Sequence, residues 1–175
     1  MTQNIIQDVS IIHLDIFKDK RGVFESIWED HQPILSGIKF EPSSASLSHN
    51  TNKLTLRGMH YQESPYQQAK LVTCVNGKLL DVVVDLRKES PSYKSWASYV
   101  LAAQSGKSLF IPRGFAHGFL TLEENTTVAY LIEGRYMPAQ SRVLSWNDPE
   151  IGIDWPVDDP ILSDLDKFAP RLLEL

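Results

Sequence analysis

The sequence predicts an all-β fold, a jelly-roll barrel with only a few short helices. Short β-branched and aromatic runs bounded by Gly, Pro, Asn and Asp recur along the chain, while the helical period finds little support. Pro91, Pro112, Pro138, Pro149, Pro156 and Pro160 also punctuate the second half, which makes long helices there improbable. The expected strands, in order, are Ile11 to Ile16, Leu54 to Gln62, Lys70 to Val75, Leu79 to Leu86, Ala97 to Leu101, Ser108 to Ile111, His117 to Leu122 and Thr126 to Ile132. Asn76-Gly77, between two of these runs, is a hairpin signal. Helix is expected only over Trp28 to Leu35 and in the tail beyond Ser163. So many strands in 175 residues suggest a barrel of the cupin type, whose mouth can hold one small ligand.

Composition narrows the function classes. A chain of 175 residues with 42% hydrophobic content fits one domain, residues 1–175, and can bury a core without staples. Cys74 is the only cysteine, which excludes an internal disulfide and a cysteine-based zinc site. No secretory leader and no long apolar run appears, so a soluble, cytoplasmic protein is expected, with no membrane partner. A net charge of −5 argues against nucleic acid as a partner, because tracking phosphates needs a basic surface. A small anionic ligand held by a few local cations remains compatible with that charge.

Two histidines stand out. His60 lies in R-G-M-H-Y-Q and His117 in I-P-R-G-F-A-H-G-F, each in a β-type segment beside glycines. A strand that carries one titratable residue among apolar ones usually points it at a pocket. Parity puts Leu80, Val82 and Val84 on one face and Asp81, Val83 and Asp85 on the other, so Asp81 looks toward the pocket lining. In Leu54 to Gln62, His60 shares a face with Leu56 and Gly58, and Arg57 falls on the opposite face. If both serve one site, Gly58 must mark a bulge. A histidine in a barrel can equally be a structural residue bonded to a backbone carbonyl. Metal-binding cupins present a close His-x-His pair, but Tyr61 and Gln62 follow His60, so no metal is expected.

At these residues the chain resembles the dTDP-4-dehydrorhamnose 3,5-epimerase family, sugar-nucleotide epimerases built on a cupin barrel. The resemblance runs almost end to end. Its strings are D-K-R-G from Asp19, L-R-G-M-H-Y-Q from Leu56, Q-A-K-L-V from Gln68, D-V-V-V-D-L-R from Asp81 and S-P-S-Y from Ser90. I-P-R-G-F-A-H-G-F follows, then Tyr130, Tyr136, W-N-D-P from Trp146, I-G-I-D-W-P from Ile151 and L-S-D-L-D from Leu162.

The resemblance implies a cofactor-independent isomerase acting on a 4-keto-6-deoxy sugar nucleotide, with protons exchanged at the two carbons flanking the ketone. It implies His60 as the base, Asp166 as the carboxylate that fixes its tautomer, and Tyr130 as the acid on the opposite side of the ring. Lys70 is implied as the cation that meets the enolate. His117 matches a second pocket histidine that contacts the sugar, with Asp81 as the carboxylate orienting it. Arg57 and Arg21 correspond to arginines that hold the diphosphate, Tyr136 to the aromatic that stacks on the nucleotide base, and Glu25 to a further substrate contact. The N-terminal arm is expected to cross to a second subunit, which implies a homodimer and lets Arg21 serve the partner's site.

The chain departs from the family pattern at the nucleotide and outer sugar contacts. The stretch between Arg21 and Glu25 is one residue shorter than in many relatives, and Ser44 to Asn50 lacks a Gln-Asp-Asn triplet. Ser141 stands where a glutamate is common, and Leu165 where a lysine is common. The rival readings are an epimerase of one carbon, a 3,4-ketoisomerase, a non-catalytic sugar-nucleotide-binding cupin and a metal-dependent oxygenase. A GDP- or CDP-linked substrate is also open.

Overall fold

The chain passes back and forth between two antiparallel five-stranded sheets in a computed structural model that describes residues 6, 8–29 and 39–174. The first sheet runs in the order β1 (Ser10–His13), β9 (Lys107–Ile111), β6 (Ala69–Asn76), β11 (Thr126–Glu133) and β4 (Ser44–Asn50). The second runs β12 (Ser141–Val143), β5 (Leu56–Gln62), β10 (Phe115–Thr121), β7 (Lys78–Asp85) and β8 (Trp96–Ala102). From β4 onward, β7 and β8 are the one consecutive pair that shares a ladder; every other step crosses to the opposite sheet. This alternation is the cupin jelly roll. A separate hairpin of β2 (Ile16–Asp19) and β3 (Gly22–Glu25) stands apart from both sheets.

Side-chain parity explains the layering. Leu79 and Val83 of β7, Phe115 and Phe119 of β10, Val72 and Cys74 of β6, Leu109 and Ile111 of β9 and Val128 of β11 meet between the sheets. Leu56, Met59, Val82, Val84, Ala116 and Leu120 face the other way, where Leu144, Ile151 and Trp155 of the C-terminal segment cover them. The centre of the second sheet is therefore buried on both faces, and every residue of β10 is buried. Burying one such side chain contributes roughly 2 kcal/mol, and a one-residue slip along β7 would turn Asp81 into this apolar layer, where a carboxylate has no partner.

Several expectations need correction. The run expected from Ile11 to Ile16 breaks after His13, and Ile16 opens the separate hairpin. Asn76-Gly77 does make a tight turn, with Gly77 at φ +75°, but no hairpin. β6 pairs with β9 and β11, and β7 with β8 and β10, so the turn is a corner between sheets. A local turn signal fixes chain reversal, whereas ladder partners follow from which faces must be buried together. β4 and β12 were not anticipated, because the inward positions of β4 carry serines and its outward ones are exposed, leaving no apolar alternation to read. Of the helix expected over Trp28 to Leu35, residues 30–35 lie outside the described residues, and Trp28 and Glu29 are not helical. The tail supplies one short helix, α1 (Asp164–Lys167), and a 3-10 turn at Leu172–Glu174.

Gly58 does mark a bulge. His60 pairs with His117 and Arg57 with Phe119, so Gly58 and Met59 together oppose Gly118 alone. The extra residue returns Arg57 and His60, three apart, to the same inner face. Gly58 sits at φ +134°, and a Cβ there would lie 2.5 Å from the Gly118 Cα. Gly58→Ala is expected to cost about 3 kcal/mol through backbone strain and collision, read as a fall in thermal midpoint. A midpoint within one or two degrees of wild type would show that the bulge does not need glycine.

Candidate active site

Inner-face positions of β4, β5, β6, β10, β11 and β12 open onto a cavity of about 420 Å³. Arg57, His60, Lys70, His117, Tyr130 and Tyr136 line it, with Phe119, Ile132 and Val143 as its apolar wall. Six residues from four strands and one loop thus converge because β5 and β10 pair with His60 directly opposite His117, while β6 and β11 pair on the facing sheet.

Each histidine is held by its own carboxylate. His60 Nε2 lies 2.6 Å from Asp166 Oδ1, which leaves Nδ1 as the ring nitrogen available to a bound molecule. Asp166 is 3% exposed on α1, and the sequence reason is local. Ser163 caps α1, its Oγ accepting from the Asp166 amide at 3.2 Å and donating to Asp166 Oδ2 at 2.9 Å. Burial opposes the charge on Asp166. Hydrogen bonds from His60, Ser163 and the Gly58 backbone outweigh it and hold the carboxyl below its ordinary range. The bulge that aims His60 therefore also helps to keep its partner ionised.

The second pair is buried more deeply. His117 Nε2 lies 2.8 Å from Asp81 Oδ1, and both residues are almost fully buried. Burial, helped by the nearby Lys70 and His60, lowers the His117 pKa against the pull of Asp81. Asp81 Oδ2 has no hydrogen-bond partner among the described residues. Lys70 is pushed down to about 8 by desolvation, partly offset by the Asp81 charge. Tyr130 packs edge-on against His117, ring centroids 6.1 Å apart. Its burial, with the Asp81 charge adding and Arg57 opposing, raises its pKa, so it stays a phenol able to donate a proton.

Arg57 and Tyr136 occupy the outer part of the cavity. Arg57 Nε donates to Asn50 Oδ1 at 2.8 Å, and the Asn50 amide is itself anchored on the Thr126 and Ser48 carbonyls. Tyr136 is 63% exposed. Its loop is tied to β5 by Gln62, whose amide contacts Tyr66, Arg135 and Met137. The sequence assigns no role to Asn50, Gln62 and Ser163. Only Ser163 carried a readable signal, a serine three residues before Asp166, the spacing of a helix cap.

Two expected site residues lie elsewhere. Arg21 is on the β2–β3 hairpin, with its side chain 85% exposed and paired to Asp19 at 2.6 Å. Glu25 accepts from the Gly106 amide at 3.1 Å. Neither lines the cavity within the single chain, because the hairpin belongs to neither barrel sheet. Ser141 and Leu165, the two departures, do line it. Asp85, on the same face as Asp81, serves structure instead. Burial works against its charge, yet hydrogen bonds from Arg87, Ser90 and Ser92 hold it down at about 2. Among the described residues, no three His, Cys, Asp or Glu side chains are grouped to hold a metal ion. No helix there is long and apolar enough to cross a membrane.

Comparison with known proteins identifies the family. The family model described as dTDP-4-dehydrorhamnose 3,5-epimerase matches residues 3–174. A dTDP-4-dehydrorhamnose 3,5-epimerase of Shigella flexneri is 43% identical over 170 residues, covering 97% of this chain and 93% of its own. The structure of the Bacillus anthracis enzyme with TDP and PPi bound has a TM-score of 0.90 and 38% identity, covering 94% of each chain. The Legionella pneumophila epimerase, in complex with dTDP-4-keto-L-rhamnose, has a TM-score of 0.90 and 34% identity, covering 99% of this chain and 92% of its own. With the barrel, the paired histidines and a match over nearly its whole length, the chain belongs to the dTDP-4-dehydrorhamnose 3,5-epimerase family.

Proposed function

We propose that this protein inverts carbons 3 and 5 of a dTDP-linked 4-keto-6-deoxyhexose, as a single domain over residues 1–175 and with no cofactor. The observation that carries this reading is one cavity that brings a carboxylate-anchored imidazole together with a half-buried phenol, a lysine and an arginine. Asp166 accepts the Nε2 proton of His60, so the Nδ1 lone pair is free to take the proton from a carbon beside the ketone. The C–H electron pair becomes the new C=C bond, and the carbonyl π pair moves onto oxygen. Lys70 meets the resulting enolate, and Tyr130 returns a proton to the opposite face of the ring. His60 then releases its proton to solvent and Tyr130 regains one from solvent, and the same cycle at the second carbon completes the double inversion. Arg57 offers a fork of donors to the diphosphate, and Tyr136 an aromatic face to the base.

Proton NMR of dTDP-4-keto-6-deoxyglucose with the protein in heavy water, without a reductase, tests this. Loss of both the carbon-3 and carbon-5 signals is expected. Exchange at one carbon would make it a mono-epimerase, and no exchange with dTDP-, GDP- or CDP-linked keto sugars would overturn the reading. In the same assay Tyr130→Phe is expected to keep proton abstraction but to impair inversion at both carbons. Inversion at both carbons at the wild-type rate would remove Tyr130 from the acid role.

Lys70 gives the reaction a pH signature. Its cationic form is the one that meets the enolate, so activity should fall as pH rises through about 8. Lys70→Met should lower kcat by roughly a hundred- to a thousand-fold at pH 7 and abolish that limb. A basic limb unchanged in the variant would assign it to another group.

The reading extends to a homodimer in the cytoplasm. The β2–β3 hairpin exposes Phe17 at 62% and Phe24 at 68% beside Arg21, which suits an arm that completes a neighbour's site and explains why Arg21 and Glu25 stand outside this one. A monomer in sedimentation would overturn the dimer.

A further inference from the structure

Gln62 belongs to the same short motif as Arg57 and His60, yet the proton-transfer scheme gives it no part. It is 6% exposed, and its single carboxamide brackets Tyr136 on both sides. Gln62 Oε1 accepts from the Met137 amide at 2.7 Å, and Nε2 donates to the Arg135 carbonyl at 3.0 Å. The same Nε2 donates to the Tyr66 carbonyl at 2.6 Å, so the bracket is tied to the turn that follows β5. Among the described residues the Tyr136 side chain makes no hydrogen bond of its own. Its ring is therefore held where its backbone is held, and Pro138 one residue beyond Met137 has no N–H with which to add a further tie.

We infer that Gln62 is a positioning residue for Tyr136, presenting the ring at the cavity mouth and thereby setting KM for the nucleotide end of the substrate. The inference rests on the proposed reading that Tyr136 faces the nucleotide. A buried amide that satisfies two backbone groups flanking an exposed ring removes that loop's freedom before substrate arrives, so binding need not restrain it afterwards. His60 lies two residues away on the same inner face, yet its anchor is Asp166 on a different element, so loosening the loop leaves the base in place.

The test is a mutant cycle with dTDP-4-keto-6-deoxyglucose, combined with amide exchange in the free protein. Gln62→Met, which removes all three hydrogen bonds at similar volume, should raise KM about five- to ten-fold with kcat within about two-fold of wild type. Tyr136→Ala should raise KM to a similar degree, and the double variant should be no worse than Tyr136→Ala. Met137 amide protection should be lost in Gln62→Met. Gln62→Glu keeps the acceptor for Met137 and loses the donors, so it should fall between; it also serves should Gln62→Met not fold.

Multiplying KM effects in the double variant would overturn the inference, because Gln62 would then act on substrate directly. Preserved Met137 protection in Gln62→Met would overturn the positioning role while leaving the reading of Tyr136 intact. An unchanged KM in Tyr136→Ala would instead overturn the nucleotide-facing reading, and the KM assignment with it.

Discussion

His60→Ala is expected to abolish proton exchange at both carbon 3 and carbon 5, a loss of about a thousand-fold or more. Both half-reactions begin with removal of a proton from carbon, and His60 is the cavity imidazole whose second nitrogen is free. His117 cannot substitute. It is almost fully buried, its Nε2 is committed to Asp81, and burial lowers its basicity. The measurement is the rate of deuterium incorporation by NMR, with a thermal scan to show that the barrel is intact. Exchange within ten-fold of wild type would remove His60 from the role of base.

Asp166→Asn should be nearly as damaging, with a loss of about a thousand- to ten-thousand-fold, the scale on which a hydrolase triad responds to the same change. The asparagine matches the carboxylate in shape, but its single carbonyl oxygen can accept from His60 or from Ser163 and not from both. It lacks the charge that offsets the imidazolium formed when the proton leaves carbon. If its amide nitrogen turns toward His60, it also forces the tautomer whose lone pair points away from the cavity. A near-normal midpoint with collapsed exchange is the expected pattern. Retention of more than a tenth of the rate would mean that Asp166 only supports the fold of α1.

The two variants separate roles that one geometry combines. In the proposed scheme His60 is the group that meets substrate, whereas Asp166 acts through it from a buried position. Their shared dependence on Gly58 ties fold to chemistry, because the same glycine supplies the bulge under His60 and a backbone donor to Asp166.

The sequence by itself determined the class of fold and the family. Alternation in β7 assigned Asp81 to the interior, because side chains two apart must share a face and Leu80, Val82 and Val84 claimed the other. The same logic exposed a conflict between Arg57 and His60, and a glycine between them named its remedy. Only the tertiary structure decided which strands pair. Asn76-Gly77 specifies a reversal but carries no information about ladder partners, and β4 could not be read because its alternate positions carry Ser44, Ser46 and Ser48 instead of apolar residues. Tertiary packing also brought Asp166 to His60 across 106 positions of chain, set Asn50 against Arg57 and set Gln62 against the backbone on either side of Tyr136. Arg21 and Glu25 show the same boundary from the other side, since their strings match the family while the single barrel leaves them outside its cavity. Local sequence encodes backbone preference and the face a side chain takes, but contacts between distant segments are selected by what the folded chain must bury, a property of the whole packing and not of any one stretch.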